Sequence, residues 1–582
     1  MQINYSKKIL HKRILLISYF ILCAIVLYNY FSLQIIQNEK FNQKSGNNSI
    51  RKIILNAPRG IIYDRNKLPL VDNKPLYDLK LIPHDITEGF NYSLFNKIVN
   101  IDSSAIDSII NLNKELGASF KPIIIKRYID FNLKSILEEY KLDFKGIYFS
   151  ELPARTYISN CYLTHVLGYL RQIDEKNYNE KLYKADDIIG FSGIEKYYEN
   201  YLRGDYGVDY YLVDRLGIIQ GKYESDLSIS PLQGDSIILS IDSELQSFVE
   251  NSLDSYSGSI IIMNPDNGQI LSLASNPDYD LKSFIGPIPI NQWKSLINNP
   301  KKPFTNRAIQ ETYPPGSIFK LLLSAIALEH NIIATQKTYI CSGIYNFYNT
   351  SFRCWKEEGH GEINLSNAIK ESCNIYFYNL MQDIDFNQWS QESEKLGFNK
   401  KTHIDLPNEK IGNIPNRKYM NETYKDKGGW SKGHLLNFSI GQGEVSVTPI
   451  QVIQLINLIA NDGKTYYPRL NLFERNESYT VDYKNNVWKF IKNAMYAAVN
   501  DNGGTAYKAK VNKKNVKVYG KTGTAQVCSN CDDKPHAWFS GFVEYGNNQK
   551  LSICILIENG VKGSNIPADM SKKIFEYILK DV

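Results

Sequence analysis

Between Ile14 and Ile36 the chain reads ILLISYFILCAIVLYNYFSLQII, 23 residues without a charged side chain. A helix needs about 20 such residues to cross a bilayer core. The run therefore decides which side of a membrane every other residue occupies. Lys7, Lys8, Lys12 and Arg13 precede it, so the positive-inside rule keeps the amino terminus cytoplasmic and places everything after residue 40 outside. A cleaved signal peptide is the alternative. Against it stand the length of the run and the lack of a small-residue cleavage site after it. No later segment is apolar enough to return, which predicts a single-pass protein with a large body in an oxidising compartment.

A chain of 582 residues is too long for one core and predicts two or three domains. Its hydrophobic content of 43% and charged content of 22% are those of a globular protein. The net charge of +6 has no basic concentration behind it, which excludes nucleic acid as the expected partner. The reading is a cytoplasmic tail at 1–13, a span at 14–36, a polar, irregular, non-catalytic supporting module at 50–235 and a catalytic domain at 236–582. Within the last, GDSIILSIDSELQSFVENSL (234–253) passes from strand to helix. GSIIIMNPDNGQILSLASNP (258–277) reads as a hairpin around PDNG. IFKLLLSAIALEH (318–330) is apolar all round and predicts a buried helix. NVKVYGKTGTAQ, AWFSGFVEY and KLSICILIENG predict three strands, and MSKKIFEYILKDV a closing amphipathic helix. The pattern is that of an α+β domain whose antiparallel sheet is assembled from both ends of the region and covered by helices.

Buried helices rarely accept a lysine, yet YPPGSIFKLLL puts Ser317 and Lys320 at the start of one. Pro314, Pro315 and Gly316 break the preceding chain, so Ser317 falls where backbone N–H groups and the helix dipole favour a developing oxyanion. Lys320 follows one turn later on the same face. Partly desolvated, it could take the serine proton as a neutral amine. Taken alone, the pair also fits a serine cap beside an exposed lysine. Two more triplets accompany it: Ser372-Cys373-Asn374, and Lys521-Thr522-Gly523 at the end of VKVYG. Ser372 can relay a proton to a leaving amine and Asn374 can hold a substrate amide. Lys521 and Thr522 can bind a carboxylate. Gly523 permits close approach, leaving the N–H of Thr524 to complete an oxyanion hole with that of Ser317. QKSGNNSIRK (43–52) holds the same three letter patterns by accident, in reversed order and without structure around them. Order, spacing and local context therefore distinguish the set at 317, 372 and 521.

These three elements are shared by penicillin-binding serine acyltransferases and β-lactamases, and the chain resembles a class B penicillin-binding protein along nearly its whole length. APRGIIYDRN (57–66), RTYISNCYLTHVLGY (155–169) and GFSGIEKYYENYLRGDYG (190–207) resemble the family's pedestal, a dimerisation-like module. NRAIQETYPPGSIFK (306–320) and FSIGQGEVSVTPIQ (438–451) resemble its nucleophile and GQG segments. WKEEGHG (355–361), followed by a cysteine inside the second motif, is most similar to the penicillin-binding protein 2 branch. Asn374 stands where that branch often has Asp, which is the general family pattern. The resemblance implies a peptidoglycan D,D-transpeptidase of the bacterial inner membrane with a periplasmic catalytic domain, acting in lateral wall elongation and cell shape. It implies stem pentapeptides on nascent glycan strands as substrate, β-lactams as inhibitors, and a polytopic glycosyltransferase of the shape and division family as partner in an elongation complex. A D,D-carboxypeptidase side activity accompanies this. The septal penicillin-binding protein 3 type is the alternative, and a β-lactamase or a β-lactam sensor are rivals from other classes.

Cys341, Cys354, His360 and Cys373 bring three of eight cysteines and one of eight histidines within 33 residues. Cys3His is a structural zinc set, although spacings of twelve, five and twelve residues are not those of a zinc finger. A Cys341–Cys354 disulfide or buried free thiols remain alternatives. Members of the resembled branch hold zinc at positions matching Cys354, His360 and Cys373, which implies one structural Zn2+ and no organic cofactor. Cys373 is then expected to point away from substrate, while Ser372 and Asn374 face it. Cys528 and Cys531 form a further CxxC, open between a disulfide and a metal. Cys161, Cys554 and His536 are read as structural.

Overall fold

The computed structural model describes residues 2–32, 35, 50–86, 90–101, 104, 106–108, 110–111, 122–173, 183, 187–213, 219–223, 226–474, 476–526, 534–560 and 566–580. The accidental KSG and SGN at 44–47 and the pair Cys528 and Cys531 lie outside the described residues, whereas Ile50, Arg51 and Lys52 of SIRK belong to the strand Ile50–Leu55, so that pattern, expected without structure, is held by pairing with 210–212. Two compact units divide the chain: Met1–Pro58, Pro75–Ala154 and Gly204–Gln233 form one, and Arg59–Lys74, Arg155–Arg203 and Gly234–Val582 the other.

In the first unit, a helix over Gln2–Phe31 carries the apolar run, and its Ile14–Phe31 stretch has a mean hydropathy of 2.2. That stretch is long and apolar enough to span a membrane. A three-stranded antiparallel sheet joins Ile50–Leu55, Gly207–Val213 and Ile219–Lys222. A separate small core gathers Leu79, Phe90, Phe95, Leu137 and Phe144. Helices Tyr92–Val99 and Phe131–Glu139 line it, each begun by a side-chain cap: Asn91 accepts from the N–H of Leu94 and Asp130 from that of Leu133.

The second unit is built on a five-stranded sheet in the order Ile270–Asn276, Gly258–Met263, Gln549–Ile557, His536–Tyr545, Lys517–Ala525, antiparallel throughout. The expected hairpin pairs Gly258 with Asn276, and the last three strands come from the far end of the chain. Because side chains alternate across a strand, each central strand serves two cores. Ile260 and Ile262 join Ile553 and Ile555 under helices Ser243–Leu253 and Ile566–Ile578. Ile261 and Met263 join Cys554 and Leu556 on the opposite face, with helices Phe319–Glu329 and Pro449–Ala460. Burying one such aliphatic side chain contributes about 1.5–3 kcal/mol, so a charged residue at Ile261 would break the sheet from one side. The closing helix starts at Ile566, four residues before the expected Met570, because Pro567 is tolerated in a first turn.

Compactness also divides the stretch 50–235 differently from sequence order. Arg59 donates to Glu195 Oε2 at 2.7 and 3.0 Å and to Glu199 Oε2 at 2.8 Å, while Arg155 Nε donates to Glu195 Oε1 at 2.7 Å. Glu195 is fully buried, so these ion pairs fix APRG and GFSGIEKYYEN to one another in a dry environment. Tyr63 and Ile62 add a parallel pairing with Ile238 and Ile237. From Arg59 in the first segment and up to Arg203 in the second, these family-like stretches therefore belong to the unit that carries the three motifs.

Candidate active site

Ser317 lies in a 3-10 turn, Gly316–Ile318, and the α-helix proper begins at Phe319. Several contacts hold this turn. The N–H of Gly316 donates to Gly441 O at 3.0 Å, the indole of Trp538 donates to Pro314 O at 3.0 Å, and Tyr313 and Val447 exchange backbone bonds at 2.9 Å. Gly316 has φ +57, and a Cβ there would lie 2.7 Å from Thr524 O. A Cβ on Gly523 would lie 2.9 Å from Pro315 O. The glycine of KTG thus admits the nucleophile turn itself, which brings the backbones of Ser317 and Thr524 side by side. GQG works the same way: Gly441 has φ +68, and a Cβ would stand 2.4 Å from Gly316 O.

Lys320 is wholly buried, and its Nζ donates to Ser372 O at 2.7 Å, Ser372 Oγ at 3.2 Å and Asn374 Oδ1 at 2.7 Å. Burial brings its pKa down to about 8, opposed by the thiols of Cys373, Cys354 and Cys341. Lys521, equally buried, donates to Ser372 Oγ at 3.0 Å and to Thr522 O at 3.0 Å. Its pKa is pushed well down, first by burial and then by Lys320. The Ser372 hydroxyl is therefore the meeting point of all three motifs, which separations of 52 and 149 residues do not reveal. The residue adopts φ +57, a conformation that costs a side-chain-bearing residue about 1–2 kcal/mol, and the two lysines hold it there. Thr522 is buried and Thr524 exposed on the strand Lys517–Ala525, which runs through KTG instead of ending before it.

Behind Ser372 the chain turns the other way. Cys373 is fully buried, and the ligand atoms of Cys341, Cys354, His360 and Cys373 all lie within 4.8 Å of one another. Nδ1 of His360 is 3.4 Å from Cys341 Sγ and 3.6 Å from Cys354 Sγ. A tetrahedron with Zn–S of about 2.3 Å and Zn–N of about 2.0–2.1 Å has edges near 3.5–3.8 Å, so the donor set fits such an ion in type and number, and the two His360 separations match its edges. The Cys354 thiol is pushed far down by the hydrogen bond from Cys373, helped by His360 and the N–H of Asn374. The same bond, with burial, pushes the Cys373 thiol up, so the two sulfurs hold one proton between them. The N–H of Asn374 reaches Cys354 Sγ at 3.4 Å, and its amide Nδ2 donates to Arg353 O at 3.2 Å. Among the described residues the cysteines are free. The arrangement joins Lys320, Ser372, Asn374 and Lys521 by hydrogen bonds and gathers Cys341, Cys354, His360 and Cys373, with Ser317 and Thr524 brought close by the turns at Gly316 and Gly523. It adds Gly316, Gly441 and Trp538, whose roles depend on contacts between distant loops.

The likeness extends to known proteins. The penicillin-binding protein transpeptidase domain matches residues 258–580 and the penicillin-binding protein dimerisation domain residues 54–239. The peptidoglycan D,D-transpeptidase MrdA of Salmonella typhimurium is 29% identical over 95% of this chain and 93% of its own length. That of Haemophilus influenzae is 30% identical over 96% of this chain and 90% of its own. The penicillin-binding protein PBP2 of Helicobacter pylori, solved in complex with MreC, superposes with a TM-score of 0.77 at 28% identity, covering 91% of this chain and 99% of that one. With its motifs converged on one serine and both family domains matched along it, the chain belongs to the class B penicillin-binding protein family and is similar to PBP2.

Proposed function

We propose that this protein is the peptidoglycan D,D-transpeptidase of lateral wall elongation. One observation supports the chemistry above all: a single hydroxyl, Ser372 Oγ, accepts from both Lys320 and Lys521. Ser317 Oγ attacks the penultimate D-Ala carbonyl of a stem pentapeptide and passes its proton to the Lys320 amine, whose depressed pKa keeps a useful fraction neutral. The N–H groups of Ser317 and Thr524 receive the oxyanion. Collapse breaks the peptide bond, and the proton reaches the departing D-Ala amine through Ser372. Asn374 holds the stem amide, while Lys521 and Thr522 bind the terminal carboxylate, whose charge restores the protonated state of the buried lysine. The amine of a second stem then attacks the acyl-enzyme, forming the cross-link and freeing Ser317; water in its place gives a carboxypeptidase side reaction. Penicillins acylate Ser317 by the same path. Labelled penicillin should attach covalently to the native protein and not to Ser317→Ala, and attachment to that variant would overturn the assignment.

The apolar helix at Ile14–Phe31, with four basic residues before it, supports an inner-membrane anchor with its amino terminus cytoplasmic and the catalytic unit in the periplasm. The relatives named above favour elongation over septation. With them come a polytopic glycosyltransferase and an elongation complex as partners. One structural Zn2+ at Cys341, Cys354, His360 and Cys373 completes the reading. When bound, it would cross-link the segment carrying Ser372 and Asn374 without touching substrate. Metal analysis of the purified protein should find about one zinc per chain, and Cys373→Ser should lower both the metal content and the melting temperature. Normal stability and acylation without metal would remove the zinc.

A further inference from the structure

The second unit contains a cavity of about 880 Å³ that takes no part in the chemistry above. This volume lies within the range of about 300–1,000 Å³ typical of small-ligand sites. One wall is helical. Tyr197, Tyr198 and Tyr201 sit at the turn between helices Gly193–Tyr197 and Glu199–Leu202, with ring centroids 5.0 and 6.1 Å apart along the row. Tyr198 is buried, whereas Tyr197 is 48% and Tyr201 61% exposed, and Phe473 on the facing loop is 75% exposed. The floor is polar and rigid. Asp405, only 3% exposed, accepts from the N–H groups of Leu470 and Asn471 at 2.6 and 2.7 Å and from the Tyr198 hydroxyl at 2.9 Å. The same hydroxyl lies against Glu474 Oε2. A phenol has one proton, so it cannot satisfy both carboxylates; Asp405 already accepts from two N–H groups, and the exposed Glu474 keeps acceptor capacity toward the cavity.

We propose that this cavity binds the uncharged, N-acetylated hexosamine backbone of a glycan strand. A pyranose presents flat C–H faces, which suit exposed tyrosine and phenylalanine rings, and a rim of O–H and acetamide N–H donors, which suit Glu474, Asp235 and Glu477. Among the described residues the lining holds one arginine, Arg469, which donates to the carbonyls of Asn267, Leu472 and Glu474. It offsets part of the acidic charge without occupying a carboxylate, which makes the cavity less suited to a cation than its acids alone would suggest. The floor also connects to the catalytic motif: in the loop after Asp405, Pro407 O accepts from Gln310 Nε2 at 3.3 Å, and Lys410 N–H donates to Ile309 O at 2.9 Å. Ile309 and Gln310 lie in the segment that leads to Ser317. A strand seated here would be held by the unit that cross-links its peptides.

The choice of glycan rests on the transpeptidase reading, and the test separates the two. Full-length protein in nanodiscs is titrated with chitotetraose, a β-1,4-linked N-acetylglucosamine tetramer bearing no peptide, while tyrosine fluorescence is followed. Covalent labelling by penicillin is measured in parallel. The expected result is saturable binding that weakens roughly tenfold in Tyr201→Ala and in Phe473→Ala, about what one stacked ring contributes, with labelling unchanged in both. No saturation at millimolar chitotetraose, or equal binding by the native protein and both variants, overturns the proposal. So does displacement of chitotetraose by spermine, which would mark a cation site. Failure of penicillin labelling in the native protein would instead refute the enzyme assignment.

Discussion

Gly441→Ala isolates what the GQG turn contributes to the nucleophile. A methyl group at Gly441 would lie 2.4 Å from Gly316 O and 2.9 Å from Gly316 N, where ordinary contact begins near 3.4 Å. Neither neighbour is a flexible side-chain tip, so the two turns must separate by about 1 Å, moving the residue next to Ser317. Displacement of a reacting group on that scale costs on the order of 10²-fold in rate. The φ of +68 adds about 1–2 kcal/mol of strain whatever the space, and this part needs its own control. Gly428→Ala supplies it, since Gly428 has φ +82 with nothing within 4 Å. Pseudo-first-order acylation by a fluorescent penicillin, normalised to folded protein by thermal melt, should fall about a hundredfold in Gly441→Ala. It should change by no more than roughly twofold in Gly428→Ala. Equal acylation by the two variants would refute the claim that interlocked glycine turns set the position of Ser317.

Two further predictions follow from charge. With the Lys320 pKa lowered to about 8, the proposal that it takes the serine proton as a neutral amine predicts acylation that rises with pH and levels off above 8. Between pH 8 and pH 6 it should fall by roughly two orders of magnitude, and a flat profile over that range would exclude Lys320 as the base. Arg59→Met would leave Glu195 and Glu199 without one of their cations in a buried cluster. It should cost about 3–5 kcal/mol in denaturant unfolding of the second unit, with acylation per folded molecule unchanged.

The hairpin at 258–277, the helix after Ser317 and the three late strands were legible because continuous apolar runs and turn residues report burial locally. The three motifs were legible through their order and context, and Cys373 through its place between Ser372 and Asn374. The rest depends on contacts that leave no periodic trace. Nothing in YPPGS or in IGQGE indicates that their glycines pack backbone to backbone. Lys521, Thr522 and Gly523 continue a strand despite the low strand propensity of Lys and Gly, because His536–Tyr545 pairs with them residue by residue. Arg59, Arg155 and Glu195 look like surface charges in their own segments and become a buried cluster only when those segments meet. The exposed Tyr201 and Phe473 gain meaning only as two walls of one cavity.

The opposed directions of Ser372 and Cys373 expose the enzyme from behind. Four donor atoms lie within 4.8 Å of one another, and three of them are buried thiols, one of which adjoins Ser372 in the chain. Closing Cys373 onto Cys341 or Cys354 as a disulfide would pull on the peptide bond that carries Ser372, the shared acceptor of the two lysines. An oxidant that did so would disarm the acyltransferase without resembling D-Ala-D-Ala or occupying the substrate cleft. A secreted β-lactamase would offer the cell no defence against it.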